Sequence, residues 1–403
     1  MVLKFPVLVV LVGLGAGPLT SGGLTDSLTR DDRPQPQDWP RPKAEDRPQL
    51  HDWPRPKADD RPQAQEWPCP TAADILPCVC SVDAYFNMKI DCSTAETCEQ
   101  LLSAFDTEFP FTHFQELKID PDPSDWHGSL TTLDPNTFGV LTFERVIIRS
   151  TQLTSLHPQT FANSLATLKY LNLANNKIND FPFETVPLYS ALHTLTLEEN
   201  YLANLPPFES ASLEVLSVSG NRKMTFNDTV FHATPSLREI YMDRLLLQNL
   251  MPGFLLNLEN LTVISLEENR LTELGELTIA TERESLASVN LNYNQISYLY
   301  PSALQGLARN AELTMRSNFV KTLDQETWND IFDQVLPSGV IDLADNPLTC
   351  ECDIAWIMLE ENDIYRPLIT KTTTCSGGES VIYLDPHYFC SHCEGYNCTS
   401  VSQ

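Results

Sequence analysis

The eleven residues from Leu168 to Ile178, Leu-Lys-Tyr-Leu-Asn-Leu-Ala-Asn-Asn-Lys-Ile, restrict the fold more than any other feature of the chain. Leu171 and Leu173 alternate as a short strand with one buried face requires. Asn176 follows at the bend, where its side-chain amide can bond backbone groups that the turn leaves unpaired. One such unit cannot bury its apolar face alone and needs copies on either side. The copies are present. Leu192, Leu195, Leu197, Asn200 and Leu202 repeat the pattern, as do Leu213, Leu216, Val218 and Asn221. Leu261, Ile264, Leu266, Asn269 and Leu271 follow, then Leu286, Val289, Leu291, Asn294 and Ile296. Leu313, Met315, Asn318 and Val320 precede Ile341, Leu343, Asn346 and Leu348, and weaker copies begin at Phe114, Phe143 and Leu237. About ten units start near 114, 143, 168, 192, 213, 237, 261, 286, 310 and 338.

The pattern L-x-x-L-x-L-x-x-N is the signature of the leucine-rich repeat family, and most spacings fall within that family's range. The resemblance implies an α/β solenoid: a horseshoe with a parallel concave β-sheet, about ten repeats and a cap at each end. Residues 111–349 form the repeats in this reading. A second column, Phe138, Phe161, Phe183, Phe208, Phe231 and Phe254, is expected as a stacked spine under the convex side. Thr151 and Leu245 stand where asparagine belongs, so their turns should be looser or reshaped. The insertion Asp120 to His127 carries three aspartates but lacks the glycine and the twelfth-position glutamate of an EF-hand, and is expected to be a solvated loop.

Residues 1–23 have Lys4 before an apolar run from Phe5 to Leu14, ending among small residues, as in a secretory signal peptide. No later stretch is apolar enough to span a bilayer, and the tail 399–403 carries no hydrophobic anchor signal, so a secreted, extracellular protein is expected. Residues 24–68 are a tandem arm whose Trp39, Trp53 and Trp67 are each followed by proline at a period of 14. Proline favours extended polyproline II, so a disordered spacer or a multivalent ligand is expected there. The net charge of -28, from 54 acidic and 26 basic residues, opposes binding to nucleic acid or anionic lipid.

The eleven cysteines fall into two groups, five from 69 to 98 and six from 350 to 398. An oxidising compartment favours disulfides over zinc, even for His387, Cys390, His392 and Cys393. The segments 69–110 and 350–398 resemble the cysteine-rich caps of extracellular leucine-rich repeat proteins. That resemblance implies Cys69 with Cys80, Cys78 with Cys92, Cys350 with Cys375, and Cys352 with Cys390. Cys393 and Cys398 are then left to pair with each other, and Cys98 has no assigned partner. Residues Glu96 to Phe105 read as a helix with Leu101, Leu102 and Phe105 on one side. Trp356 and Ile357 are expected to plug the last repeat.

Cys69-Pro70-Thr71-Ala72-Ala73-Asp74-Ile75-Leu76-Pro77-Cys78-Val79-Cys80, with Asp91-Cys92-Ser93, is more specific than a generic cap. Together with Asn176-Lys177-Ile178 and Phe181-Pro182-Phe183-Glu184, it resembles the leucine-rich, non-catalytic subunits that accompany the secreted luciferases of decapod shrimp. Such a subunit leaves the oxidation to a separate chain, which implies a partner-binding protein. No nucleophile elbow, phosphate loop, metalloprotease helix or dinucleotide fingerprint is present, so no catalytic, metal or cofactor-binding residues are assigned. Candidate partner contacts lie between the buried leucines: Tyr170, Asn172, Thr196, Glu198, Tyr241, Asp243, Glu267, Asn290, Asn292, Tyr293 and Arg316. The acidic concavity favours a basic secreted protein; a microbial or glycan surface is the second partner class. Sequons at Asn227, Asn260 and Asn397 are candidate N-glycosylation sites.

Overall fold

The computed structural model describes residues 68–396 except 125 and 126, together with Cys398. The signal-peptide reading, the Pro-Trp arm through Trp67, the tail 399–403 and the sequon at Asn397 lie outside those residues. Twelve strands form one sheet in chain order. They are β1 (Val79–Val82), β2 (Met88–Asp91), β3 (His113–Ile119), β4 (Thr142–Ile148), β5 (Tyr170–Asn172) and β6 (Thr194–Thr196), followed by β7 (Val215–Ser217), β8 (Glu239–Tyr241), β9 (Val263–Ser265), β10 (Leu286–Asn290), β11 (Leu307–Thr314) and β12 (Val340–Asp342). The β1–β2 pair is antiparallel, and each later strand adds in parallel.

The coils stack because their central apolar residues fall in register. Leu171 pairs with Leu195, Leu195 with Leu216, and Ile240 with Ile264. All are at most 2% exposed. Burying each such side chain stabilises the fold by roughly 1.5–3 kcal/mol, so the stack supports itself only when many coils share it.

The asparagines join neighbouring coils. Asn200 Oδ1 accepts from the N–H of Ile178 at 2.9 Å, while its Nδ2 donates to Leu173 O and Leu197 O at 2.9 and 3.1 Å. Asn221, Asn294, Asn318 and Asn346 repeat this double attachment. The residue just before each is left-handed: Asn175, Glu199, Glu268, Tyr293, Ser317 and Asp345 have φ between +49° and +59°, and Gly220 has +77°. A left-handed non-glycine residue costs roughly 1–2 kcal/mol. Three hydrogen bonds at about 1 kcal/mol each offset that cost, which is why the bend recurs without glycine at nearly every coil.

Of the two departures, one meets the expectation of a looser or reshaped turn and the other does not. The turn at Thr151 keeps its connections: its N–H and Oγ1 both reach Asn176 Oδ1, at 3.0 and 2.6 Å. The next coil's asparagine thus replaces the missing one, and no loosening results. The turn at Leu245 is reshaped. Its N–H and that of Leu247 share Asn269 Oδ1, Leu246 takes φ +64°, and Leu245 itself joins the core.

On the convex side all six spine phenylalanines are buried. Phe138 stacks on Phe161 with centroids 5.4 Å apart, and Phe183 meets Phe208 at 5.6 Å. Beyond Phe254 the convex side changes character. Ile279–Ala280 pairs in parallel with Leu304–Gln305, and the last coil carries a helix, Gln325–Val335.

Both ends are closed. Helix α1 is Cys98–Phe105, opened by a Thr97–Gln100 capping box. Its buried residues are Leu101, Ala104 and Phe105; Leu102, expected on that side, is only half-buried. Disulfides join Cys69 to Cys80 and Cys78 to Cys92, and at the other end Cys350 to Cys375. The pairing that the resemblance implies for the remaining four cysteines is corrected: Cys352 joins Cys393, and Cys390 joins Cys398. Helix α2 is Gln325–Val335, α3 is Ala355–Met358 and α4 is Pro386–His392. At the end of α4, Phe389 and Cys393 turn inward at 1% and 7% exposure, which brings Cys393 to Cys352 and leaves half-buried Cys390 to Cys398. Among the described residues Cys98 is the cysteine outside a disulfide, with its Sγ 3.6 Å from Thr137 Oγ1. Trp356 is buried against Phe332 and Tyr365, and its Nε1 donates to Leu323 O at 2.7 Å.

Candidate functional site

The strands turn their non-core residues to the open face of the sheet, and that face divides into three zones. In the N-terminal zone charges are already paired. Arg145 contacts Glu116 at 3.2 Å and lies 3.7 Å over the Tyr170 ring. Arg149 reaches Asp120 at 2.5 Å, so the first aspartate of the insertion is engaged by the neighbouring coil. Lys169 bonds Glu144 at 2.9 Å, which holds that carboxyl below the usual range, with His113 adding to the effect. Tyr170 is half-buried and its hydroxyl accepts from Asn172, itself 9% exposed.

In the central zone acid dominates: Glu198, Glu199, Glu239, Asp243, Glu267 and Glu268 lie on or just beyond β6, β8 and β9, and Glu199, Glu268 and Asp243 act on Arg244. The floor of this zone is a hydrogen-bonded ladder. Ser217 donates to Glu198 at 2.6 Å. Asp243 accepts from Ser219, Ser265 and the N–H of Glu267 at 3.2, 2.5 and 2.8 Å. Asn290 donates to Ser265 and Glu267 and accepts from Thr314. Thr196, at the matching position one coil before Ser217, is half-buried. Tyr241 is half-buried; its hydroxyl donates to Glu239 at 2.8 Å. Burial first, and then Glu239, Asp243 and Glu198, push its phenol up to about 12.

The C-terminal zone is paired again. Arg316 contacts Asp342 at 3.1 Å and Asp345 at 3.9 Å, while its N–H donates to Asn292. Of the sequence candidates, Tyr293 is the most open, at 55% exposure.

The left-handed column borders this floor, and Tyr293 among the sequence candidates belongs to it. Arg244 Nη2 bonds Glu199 Oε1 at 2.9 Å, across a whole intervening coil. That coil contributes Gly220, where a Cβ would lie 2.5 Å from the Glu199 carboxylate. The arginine is held more firmly protonated by Glu199 first, and by Glu268 and Asp243. The only sequence signal for this arrangement is a glycine at the one coil where charged or polar residues otherwise precede asparagine.

A family model for the leucine rich repeat matches residues 143–202. This chain is a leucine-rich repeat solenoid. The repeat family accounts for the parallel sheet and the asparagine turns. It is similar to the Oplophorus-luciferin 2-monooxygenase non-catalytic subunit of Oplophorus gracilirostris, with 29% identity over 326 residues, 80% of this chain and 88% of that protein. It is also 30% identical to Podocan-like protein 1 of Mus musculus over 232 residues, 55% of this chain but 39% of that protein. Among solved structures, a chain of the octameric complex of Latrophilin 3, Unc5D and FLRT2 (LRR) aligns with a TM-score of 0.50 at 18% identity. That alignment covers 76% of this chain and 96% of the other, and is a likeness of fold. Among the described residues no cluster of three or more His, Cys, Asp or Glu side chains could hold a metal ion, and no helix is long and apolar enough to cross a membrane.

Proposed function

We propose that this leucine-rich repeat solenoid is a secreted, non-catalytic binding subunit that accompanies another secreted protein. The observation that carries the reading is the central acidic zone. Its six carboxylates outnumber Arg244 and Arg270 beside them, whereas the charges on either side are matched in pairs. A surplus of one sign over a broad open face attracts a partner of the opposite sign, so the partner is a protein with a basic surface. Five disulfides suit an oxidising compartment and support secretion. The likeness to a protein whose own name declares it non-catalytic supports an accessory role over catalysis. N-glycans belong to this reading at Asn227 and Asn260, both exposed; Asn227 Oδ1 already accepts from Thr229 Oγ1 at 2.9 Å.

Capture from the native secretion with the tagged full chain tests the proposal. One protein recovered at equal stoichiometry supports it. Recovery of cell-wall or other glycan material alone favours the second partner class, and turnover by the purified chain alone would overturn the non-catalytic role.

A further inference from the structure

The sheet floor and its border differ in one respect that decides where a partner makes contact. Floor side chains are hydrogen-bonded to each other: Ser217, Ser219 and Ser265 are buried, and Asp243 and Asn290 are saturated by them and by neighbouring backbone. A ligand that engaged these groups would have to break bonds of similar strength, so little net affinity is available there. The border at the strands' C-terminal ends has one such bond, Arg244 with Glu199, and no continuous ladder. Of its left-handed residues Glu199, Glu268 and Tyr293 are exposed, and it holds three large exposed aromatics: Tyr201 at 65%, Tyr293 at 55% and Phe319 at 54%. Tyr293 and Phe319 come from adjoining coils. The N–H of Tyr293 donates to Arg316 O at 2.9 Å, and the N–H of Phe319 donates to Ile296 O at 2.8 Å. Glu268 is the left-handed residue one coil earlier, with its N–H on Asn292 O. Glu199 stands two residues before Tyr201 in the same way.

We infer that the primary contact is this border, and that its occupant is an arginine-bearing loop of a partner protein. The inference rests on the protein-binding reading above and specifies its surface. Two features on the border select arginine. The exposed carboxylate of Glu268, which makes no ion pair among the described residues, fits a guanidinium fork, and the faces of Tyr293 and Phe319 on the next two coils accept a planar cation. The Arg145–Tyr170 stack elsewhere on the same sheet is this contact made within the chain. Lysine satisfies the charge but not the planar stacking, and a polyanion is repelled. Tyrosine and arginine together are the residue types that most often dominate interface energies.

The test uses isothermal titration of the full chain with a nona-arginine peptide, a nona-lysine peptide and a nona-glutamate control. The parent should bind nona-arginine several-fold more tightly than nona-lysine, and should not bind nona-glutamate. Tyr293→Ala/Phe319→Ala should weaken nona-arginine binding at least tenfold with an unchanged melting temperature, since both side chains are more than half exposed. Leu188→Ala, in the convex turn Phe183–Leu188 and 58% exposed, should stay within twofold of the parent. Equal binding by the border variant and the parent, or no binding of nona-arginine to the parent, overturns the inference. The broader reading fails separately, if capture with the parent recovers no protein at all; a protein captured equally by parent and border variant keeps that reading and removes this one.

Discussion

At the scale of single residues, the asparagine turns were legible in the sequence, but how they bond was not. Each asparagine serves two coils at once, so its value lies in what it leaves satisfied. Asn200→Ala should cost about 1–3 kcal/mol by chemical denaturation, because it strands the buried N–H of Ile178 and takes one of two amide donors from the carbonyls of Leu173 and Leu197, which keep Asn176 and Asn221. A loss below about 0.5 kcal/mol would contradict that role. Gly220→Ala should lose about 1–2 kcal/mol and separate Arg244 from Glu199, visible in a crystal structure of the variant, since the new methyl meets the carboxylate at φ +77°. Alternation of leucine cannot reveal the left-handed position, because its occupants vary from serine to tyrosine and share only backbone geometry. Tyr241 gives a pH signature. Its folded phenol is pushed to about 12 from 10, so its contribution to stability is whole below pH 10 and is lost as pH rises through about 12. The parent should therefore lose stability relative to Tyr241→Phe over that window and match its pH dependence below it, as followed by denaturation at stepped pH.

At the scale of elements, the repeated strands were evident from period and phase, while the irregular pieces were hidden by the same regularity. Helix α2 is one such piece. Trp328, Ile331, Phe332 and Val335 keep helical spacing, yet they occupy the stretch where earlier coils place a single spine phenylalanine. The C-terminal cap is another. Cysteine order alone does not distinguish Cys390 from Cys393, one turn apart, and the choice rests on which side of α4 meets the core. Non-reducing peptide mapping should recover Cys352 linked to Cys393 and Cys390 linked to Cys398; a Cys352–Cys390 peptide would contradict this cap. Trp356→Ala should destabilise the chain by about 3–5 kcal/mol, measured by denaturation. It empties the contact with Phe332 and Tyr365 and frees the carbonyl of Leu323 in the last coil. The cap therefore acts on the repeats and does not merely terminate them.

At the scale of the described solenoid, the sequence showed an acidic concave face but could not show how its charge is distributed between paired and unpaired groups. Arg145, Arg149 and Lys169 bring three cations to the start of the face, and each is spent on a carboxylate of an adjoining coil. The surplus acid lies in the middle, bordered by the exposed aromatics. The candidate residues accordingly divide into a self-bonded floor and an open border, a division that side-chain identity does not carry. Hydrogen–deuterium exchange on the full chain, alone and with the protein captured from native secretion, tests the account most directly. It predicts that partner binding slows exchange at the ends of the central strands, around 198–201, 243–246, 267–270 and 292–295. Protection confined to the convex phenylalanine side or to the two caps would contradict it.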